Sequence, residues 1–126
     1  MAAYPNLESI QQLVADQASE SEQLEFKSIL PAKDDRGKHE LAKDFSAMAN
    51  AQGGTIIYGI AEQKGNAHNL VSITEELADN AIRRLSQSLA ASVEPRLHGI
   101  TFQEILTDDG SVVSGLIRLH RLENQH

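Results

Sequence analysis

The spacing of apolar residues changes along the chain, and each spacing predicts a helix or a strand. Apolar positions that recur at helical spacing predict helices over residues 6–17, 39–51 and 75–92. Alternating or continuous apolar runs rich in β-branched residues predict strands over residues 24–30, 55–60, 100–106 and 112–119. The polar stretch 61–69 predicts a loop, and "TDDGS" at 107–111 predicts a hairpin turn between the last two strands.

The order of these elements predicts an α/β (α+β) fold, with a mixed sheet of about four strands and three helices. The length of 126 residues predicts a single domain, with its core over about residues 15–120. Asn6 is the expected N-cap of the first helix and Thr74 that of the third. Gly53 or Gly54 is expected to end the second helix in a left-handed conformation.

Composition excludes several classes of site. The chain has no cysteine, which excludes disulfides and thiolate metal sites, and its five histidines show no metal-ligand spacing. The N-terminal residues do not have the pattern of a secretion signal, and no apolar run reaches membrane-spanning length. We therefore expect a cytoplasmic protein without membrane contact.

The net charge of −7 limits the partners of the chain. A general nucleic-acid-binding domain usually carries a basic face, so the acidic total counts against one. It does not count against an enzyme that acts on nucleic acid, because carboxylates that bind a metal are themselves acidic.

Glu25 and Lys27 are the first candidates for chemistry. They lie two residues apart on a predicted strand and therefore point to the same face. A carboxylate there could bind a divalent cation, and the lysine could orient a water beside it. Taken alone, the pair is more simply interpreted as a surface ion pair of small energetic value.

Glu62 follows the buried strand at 55–60 directly, where α/β folds tend to place their sites. The Gly53-Gly54 pair before that strand lacks the spacing and the Lys-Ser/Thr of a phosphate loop. We interpret these two glycines as a helix stop and turn.

Together, "ESEQLEFKS", a charged loop, "ELAKDFSAMANAQGGTIIYGIAE" and the long third helix resemble the Schlafen-type AlbA domain. The family pattern is Glu-x-x-x-x-Glu-Phe-Lys, then Ala-x-Ala-Asn on a helix, then Gly-Gly-x-x-x-x-Gly-Val/Ile-x-Asp/Glu. Its elements fall here on Glu20, Glu25, Phe26 and Lys27, on Ala47, Ala49 and Asn50, and on Gly53, Gly54, Gly59, Ile60 and Glu62.

The resemblance implies a divalent-metal site, because three carboxylates hold a metal in Schlafen proteins that cut transfer or ribosomal RNA. They match Glu20, Glu25 and Glu62, and Lys27 would contact phosphate or a water beside them. Oxygen ligands favour Mg²⁺ or Mn²⁺. One departure is Glu62 itself, since the family more often has Asp at this position.

The resemblance also bears on the extent of the chain. Many relatives continue into ATPase or winged-helix domains, so this chain is a fragment or a free-standing lobe. Animal Schlafens pair two lobes around RNA, which implies that a single lobe would form a homodimer.

Three functions stay open. The first is a metal-dependent endoribonuclease that cuts structured RNA such as transfer RNA, with RNA favoured over DNA if the chain is catalytic. The second is a non-catalytic DNA- or RNA-binding or regulatory module attached to another domain, and the third is a purely structural dimerisation domain. Binding needs cations that gather on one face, and the candidate nucleic-acid contacts are Lys27, Lys33, Arg36, Lys38, Arg83 and Arg84, with Lys43 as a further cation.

Overall fold

Strands of two sheets and three helices make up the fold in the computed structural model, which describes residues 4–118. The helices are α1 (Leu7–Ala15), α2 (Asp35–Asn50) and α3 (Ala78–Ala90), and a 3₁₀ helix covers Pro95–Gly99. The strands are β1 (Leu24–Lys27), β2 (Gly53–Tyr58), β3 (Ile60–Gln63), β4 (Asn66–Leu70), β5 (Thr101–Leu106) and β6 (Ser111–Arg118).

The larger sheet is mixed and has the order β1-β2-β6-β5. β1 and β2 are parallel, and the other two pairs are antiparallel. A parallel pair needs a long crossover, and α2 supplies it here. β3 and β4 form a separate two-stranded antiparallel sheet. The predicted α+β fold, with three helices and a mixed four-stranded sheet, is confirmed.

Each face of the larger sheet is covered by a different layer. Ile56 and Tyr58 of β2 belong to one core cluster with buried residues of α2 and α3. Ile57, between them, belongs to a second cluster with residues of α1, β3 and β4. Successive side chains of a strand point to opposite faces, so β2 is buried on both sides. The described residues contain no helix that is long and apolar enough to cross a membrane.

The prediction of a loop over residues 61–69 is wrong, because β3 and β4 form a hairpin there. Lys64 and Gly65 join the strands with φ values of 56° and 80°. A two-residue turn with both φ values positive matches the twist of a hairpin, and Gly adopts it readily. The predicted strand 55–60 is also divided, since Gly59, with φ 123°, lies between β2 and β3.

Two helix starts differ from the prediction. α2 begins at Asp35, because the Asp34 carboxylate accepts a hydrogen bond from the Gly37 amide at 2.9 Å and caps the helix earlier. α3 begins at Ala78, and Leu77, which makes no side-chain cap hydrogen bond, replaces Thr74 at the N-cap. Ile73 pairs with Ser111 just before this segment, which holds the chain extended there.

The predicted cap of α1, the end of α2 before Gly53 and the last hairpin are confirmed. Asn6 caps α1 through a full capping box with Ser9. α2 ends at Asn50, and the left-handed conformation falls on Gln52 as well as on Gly53, but not on Gly54. The β5–β6 hairpin forms as predicted, and residue 119 of its second strand lies outside the described residues.

Gly37 allows the loop between β1 and α2 to lie directly against α2. This glycine is buried in the first turn of the helix, and a Cβ there would overlap the backbone carbonyl of Ala32. The loop backbone and the helix therefore pack without an intervening side chain, and this contact fixes where the loop residues up to Lys33 lie.

We expect Gly37→Ala to lower the free energy of unfolding by about 2–3 kcal/mol, since the obstacle is backbone and overpacking typically costs about 1–3 kcal/mol. Urea denaturation measures this loss. Gly65→Ala is the control, because a Cβ there meets no atom within 4 Å and only the positive φ opposes it. Its loss should be smaller, on the order of 1 kcal/mol. Equal losses would contradict the packing role of Gly37.

Candidate functional site

Lys27 of β1 pairs with two carboxylates, one on its own strand and one on α2. Its Nζ lies 3.2 Å from Oε2 of Glu25 and 3.5 Å from Oδ2 of Asp44. Glu25 is on the same face of β1, as predicted, whereas Asp44 comes from the middle of α2 and was not predicted. The side chains of Lys27 and Glu25 are 30% and 33% exposed and that of Asp44 is 16% exposed, so the cluster faces solvent on one side only.

The charges of this cluster change its proton affinities. Burial alone would lower the pKa of Lys27, but the nearby carboxylates, Asp44 first, then Glu25 and Glu40, raise it overall. Burial raises the pKa of Asp44, although the Lys27 ammonium opposes that rise. Lys27 is therefore held as a cation, and both of its described ion-pair partners are carboxylates of the chain.

Tyr58 lies beneath the cluster, directly opposite Lys27 in the β1–β2 register. Its hydroxyl is buried and has no hydrogen-bond partner within residues 4–118. Burial raises its pKa far above the ordinary range, and the charges of Asp44 and Glu25 add to that rise. Tyr58 is therefore neutral, and its unpaired hydroxyl lowers stability relative to a paired one.

Glu20 is bound to the outer edge of β1. Its Oε2 accepts a hydrogen bond from the Phe26 amide at 2.9 Å, next to Glu25 in the chain. The chain between Glu20 and β1 is also held there, since Ser21 and Leu24 exchange backbone hydrogen bonds. Glu20 therefore covers an amide that would otherwise be open at a sheet edge.

Glu62 is exposed on β3 and bound to the hairpin turn. Its Oε2 accepts a hydrogen bond from the Gly65 amide at 2.8 Å, and the Gly65 carbonyl accepts one from the Glu20 amide at 2.7 Å. The main chain of Gly65 therefore lies between Glu20 and Glu62, and the two residues are neighbours through it.

The three predicted metal ligands do not form a metal centre in this arrangement. The carboxylates of Glu20 and Glu62 each accept a backbone amide, and that of Glu25 pairs with Lys27. Across the described part of the chain, no group of three or more His, Asp or Glu side chains is placed to hold a metal ion. The residues do not fit a ready-made Mg²⁺ or Mn²⁺ site, and metal binding stays a prediction.

Three of the predicted nucleic-acid contacts lie around one groove between α2 and α3. The groove has a volume of about 600 Å³. Lys33 reaches it from the loop after β1, Lys38 from α2 and Arg84 from α3. No acidic residue is among the described residues that line this α2–α3 groove, which are Pro31, Ala32, Lys33, Gly37, Lys38, His39, Leu41, Ala42, Arg84, Leu85, Gln87, Ser88, Ala91 and Ser92.

Arg84 is partly neutralised. Its Nε and Nη2 donate to the Glu76 carboxylate at 2.8 and 3.0 Å, and Nη2 also donates to the Pro31 carbonyl at 2.8 Å. This hydrogen-bonded pairing lowers the pKa of Glu76, whose side chain is only 9% exposed. Arg84 therefore fixes the wall of the groove and leaves its Nη1 donors without a partner among the described residues.

The other predicted cations do not join the groove. Arg36 and Arg83 are exposed on the same two helices, and Lys43 is exposed further along α2, but none is among the described lining residues. Lys27 is in the cluster with Asp44, away from the groove lining.

The residues now placed on the fold can be compared with known families. A model of the Schlafen, AlbA_2 family matches residues 20–124. The chain belongs to this family. Membership associates this Schlafen, AlbA_2 domain with nucleic-acid-related functions. A search of curated proteins finds no match for the chain.

Two residues that shape the sites of this Schlafen, AlbA_2 domain were not predicted from the sequence. Asp44 lies 17 positions after Lys27, and no local pattern marks it as an ion-pair partner. Glu76 could be recognised as an acid near a helix start, but its partner Arg84 is two turns further along and the pair forms only when the segment before α3 folds back.

We expect Glu20→Ala to lower the free energy of unfolding by about 1–2 kcal/mol, because it removes a charged acceptor from the Phe26 amide. Glu22→Ala is the matched control, as Glu22 is exposed two residues away and its loss should stay within about 0.5 kcal/mol. Urea denaturation of both variants tests this. Equal stability of the two variants would mean that the Glu20 carboxylate is not needed at the strand edge.

Proposed function

We propose that the chain is a nucleic-acid-binding domain that holds phosphate groups in the α2–α3 groove. The observation that carries this proposal is the charge of the groove. A chain of net charge −7 has a concave surface lined by Lys33, Lys38 and Arg84 and, among its described residues, by no acid. Phosphate is the anion that family membership makes most relevant.

For phosphate binding, the charge of the groove matters more than the net charge of the whole chain. Phosphate contacts are short-range, because salt screens charges beyond about 8 Å at physiological ionic strength. Lys33 and Lys38 are exposed and have no ion pair within residues 4–118, whereas the Lys27 ammonium lies between two carboxylates. The acidic surface elsewhere would repel nucleic acid, which favours weak binding confined to the groove over binding along a broad face.

A metal-dependent endoribonuclease is the second candidate, and one observation favours it. Glu20, Glu25 and Glu62 follow one continuous edge, since Glu20 contacts both the residue after Glu25 and the turn held by Glu62. Each of the three carboxylates uses Oε2 for its contact within the chain, so Oε1 of each would be the oxygen to hold Mg²⁺ or Mn²⁺, and the three side chains would have to move towards one point.

Further expectations apply to both candidates. Pairing of two copies of the chain, a preference for RNA over DNA if it is catalytic, and a cytoplasmic location stay predictions. A purely structural dimerisation domain would bind no nucleic acid at low salt, so the binding experiment separates this third function from the other two.

We expect the chain to bind short single-stranded oligonucleotides weakly and with strong salt dependence. Each neutralised phosphate contributes a slope of about −0.7 in log K against log[salt] for single strands, so binding of one or two phosphates in the groove gives about −0.7 to −1.4. Lys38→Ala should reduce the slope by roughly 0.7. Fluorescence anisotropy across a salt series measures it.

Lys43→Ala is the control for that series, because Lys43 is exposed on the same helix but is not among the described residues of the groove. Equal effects of Lys38→Ala and Lys43→Ala would show diffuse attraction and contradict binding in the groove. Arg84 is left unchanged, since its replacement would also release Glu76 and the loop.

The two candidate functions differ in a cleavage assay on transfer RNA with Mg²⁺ or Mn²⁺ and a chelator control. We expect no metal-dependent cleavage, because the three carboxylates are engaged separately. Metal-dependent cleavage that persists in Glu22→Ala and is lost in Glu25→Ala would contradict this and support the nuclease. The Glu25→Ala variant should bind RNA as the parent does in either case.

A further inference from the structure

The size of the α2–α3 groove limits what it can hold. Its volume of about 600 Å³ is within the range of roughly 300–1,000 Å³ that is usual for small-molecule sites. A length of duplex would instead need an extended surface, and Arg36, Arg83 and Lys43 do not continue the described groove lining. The space therefore suits about one nucleotide unit.

The cations of the groove do not belong to a single helix or strand. Lys33, Lys38 and Arg84 come from three separate segments of the chain and line one concavity. A row of phosphodiesters presents one charge at each step, whereas a phosphomonoester concentrates a charge of about −1.5 to −2 and three acceptor oxygens on one group. Three donors that line one concavity can bind one monoester group together.

Arg84 can take part without losing its structural contacts. Nε and Nη2 are used by Glu76 and Pro31, and the Nη1 donors have no partner in the described range. The guanidinium is thereby held in a fixed orientation, so little side-chain entropy is lost when it binds an oxygen. Lys33 and Lys38 are exposed and can adjust to the same group.

The remainder of the lining is apolar or neutral. Leu41 and Leu85 are buried beneath the groove, and Ala42 and Ala91 leave open space beside them. No Phe, Tyr or Trp is among the described lining residues, and His39 supplies the one ring there on which a base could stack. A sugar and base can also be covered by apolar contact next to the bound phosphate.

We propose that the α2–α3 groove binds a single nucleoside phosphate unit through its phosphomonoester, either at the end of a nucleic-acid strand or as a free mononucleotide. This inference rests on the proposed function and deepens it, because it names the part of the nucleic acid that the groove binds. Internal phosphodiesters would bind there more weakly.

The test uses one short oligonucleotide prepared with a 5′-phosphate, with a 3′-phosphate and with hydroxyls at both ends. Adenosine 5′-monophosphate, adenosine and inorganic phosphate are titrated in parallel by calorimetry. We expect one terminal phosphate to raise affinity about tenfold, the change that one added charge-assisted hydrogen bond of roughly 1.5 kcal/mol produces. If the free mononucleotide is the ligand, adenosine 5′-monophosphate should bind and adenosine should not.

Substitutions in the groove and beside it test whether the terminal phosphate binds there. Lys38→Ala should remove about the same tenfold advantage and Lys43→Ala should keep it. Ser88→Leu places a larger side chain at the groove lining of α3 and should weaken binding without a change of charge. Circular dichroism confirms that each variant is folded, and both lysines are exposed.

The outcomes separate this inference from the proposed function. Oligonucleotide binding that depends on Lys38 but not on a terminal phosphate would overturn the inference and leave the proposed function standing. Binding of adenosine 5′-monophosphate with no binding of any oligonucleotide would support the groove as a mononucleotide site and overturn the proposed function. Binding of neither ligand class would overturn both.

Discussion

The guanidinium of Arg84 joins three segments that are distant in the sequence. It donates to Glu76 before α3 and to the Pro31 carbonyl after β1, while its own backbone belongs to α3. The loop after β1 is held from the other side by the Gly37–Ala32 contact with α2. Because the loop is fixed between two helices, Lys33 and Lys38 face a groove of defined shape. The guanidinium of Arg84 is a charged donor, and hydrogen bonds of this kind are roughly twice as strong as those between neutral groups.

Four acidic residues make contacts within the chain and do not line the groove: Glu20, Glu25, Asp44 and Glu62. Glu20 and Glu62 accept backbone amides at a strand edge and a turn, and Asp44 and Glu25 hold Lys27 against the sheet. These are contacts that organise main chain and secondary structure, and each involves one oxygen of its carboxylate. The residues that match the family's metal ligands therefore have a structural explanation within this chain. Within the described part of the chain, Lys33 and Lys38 form no such side-chain contact, which is why the proposal rests on the groove.

Much of the fold could be predicted from local signals in the sequence. The Asn6 cap, the β5–β6 hairpin and the shared face of Glu25 and Lys27 all depend on residues a few positions apart, and all are confirmed. The β3–β4 hairpin was missed because its strands are polar and short, and the Lys64-Gly65 turn was the signal that could have revealed it. Asp44 could not be predicted, since its contact with Lys27 exists only after the crossover helix packs on the sheet.

The most direct test of nucleic-acid binding in the groove is a map of backbone amide NMR shifts during titration with a short single-stranded oligonucleotide that carries a terminal phosphate. We expect the amides of Lys33, Gly37, Lys38 and Ser88 to shift together with one affinity, because all four residues line the groove. Shifts concentrated at the strand edge around Glu20, Phe26 and Gly65, with the groove unchanged, would contradict binding in the groove.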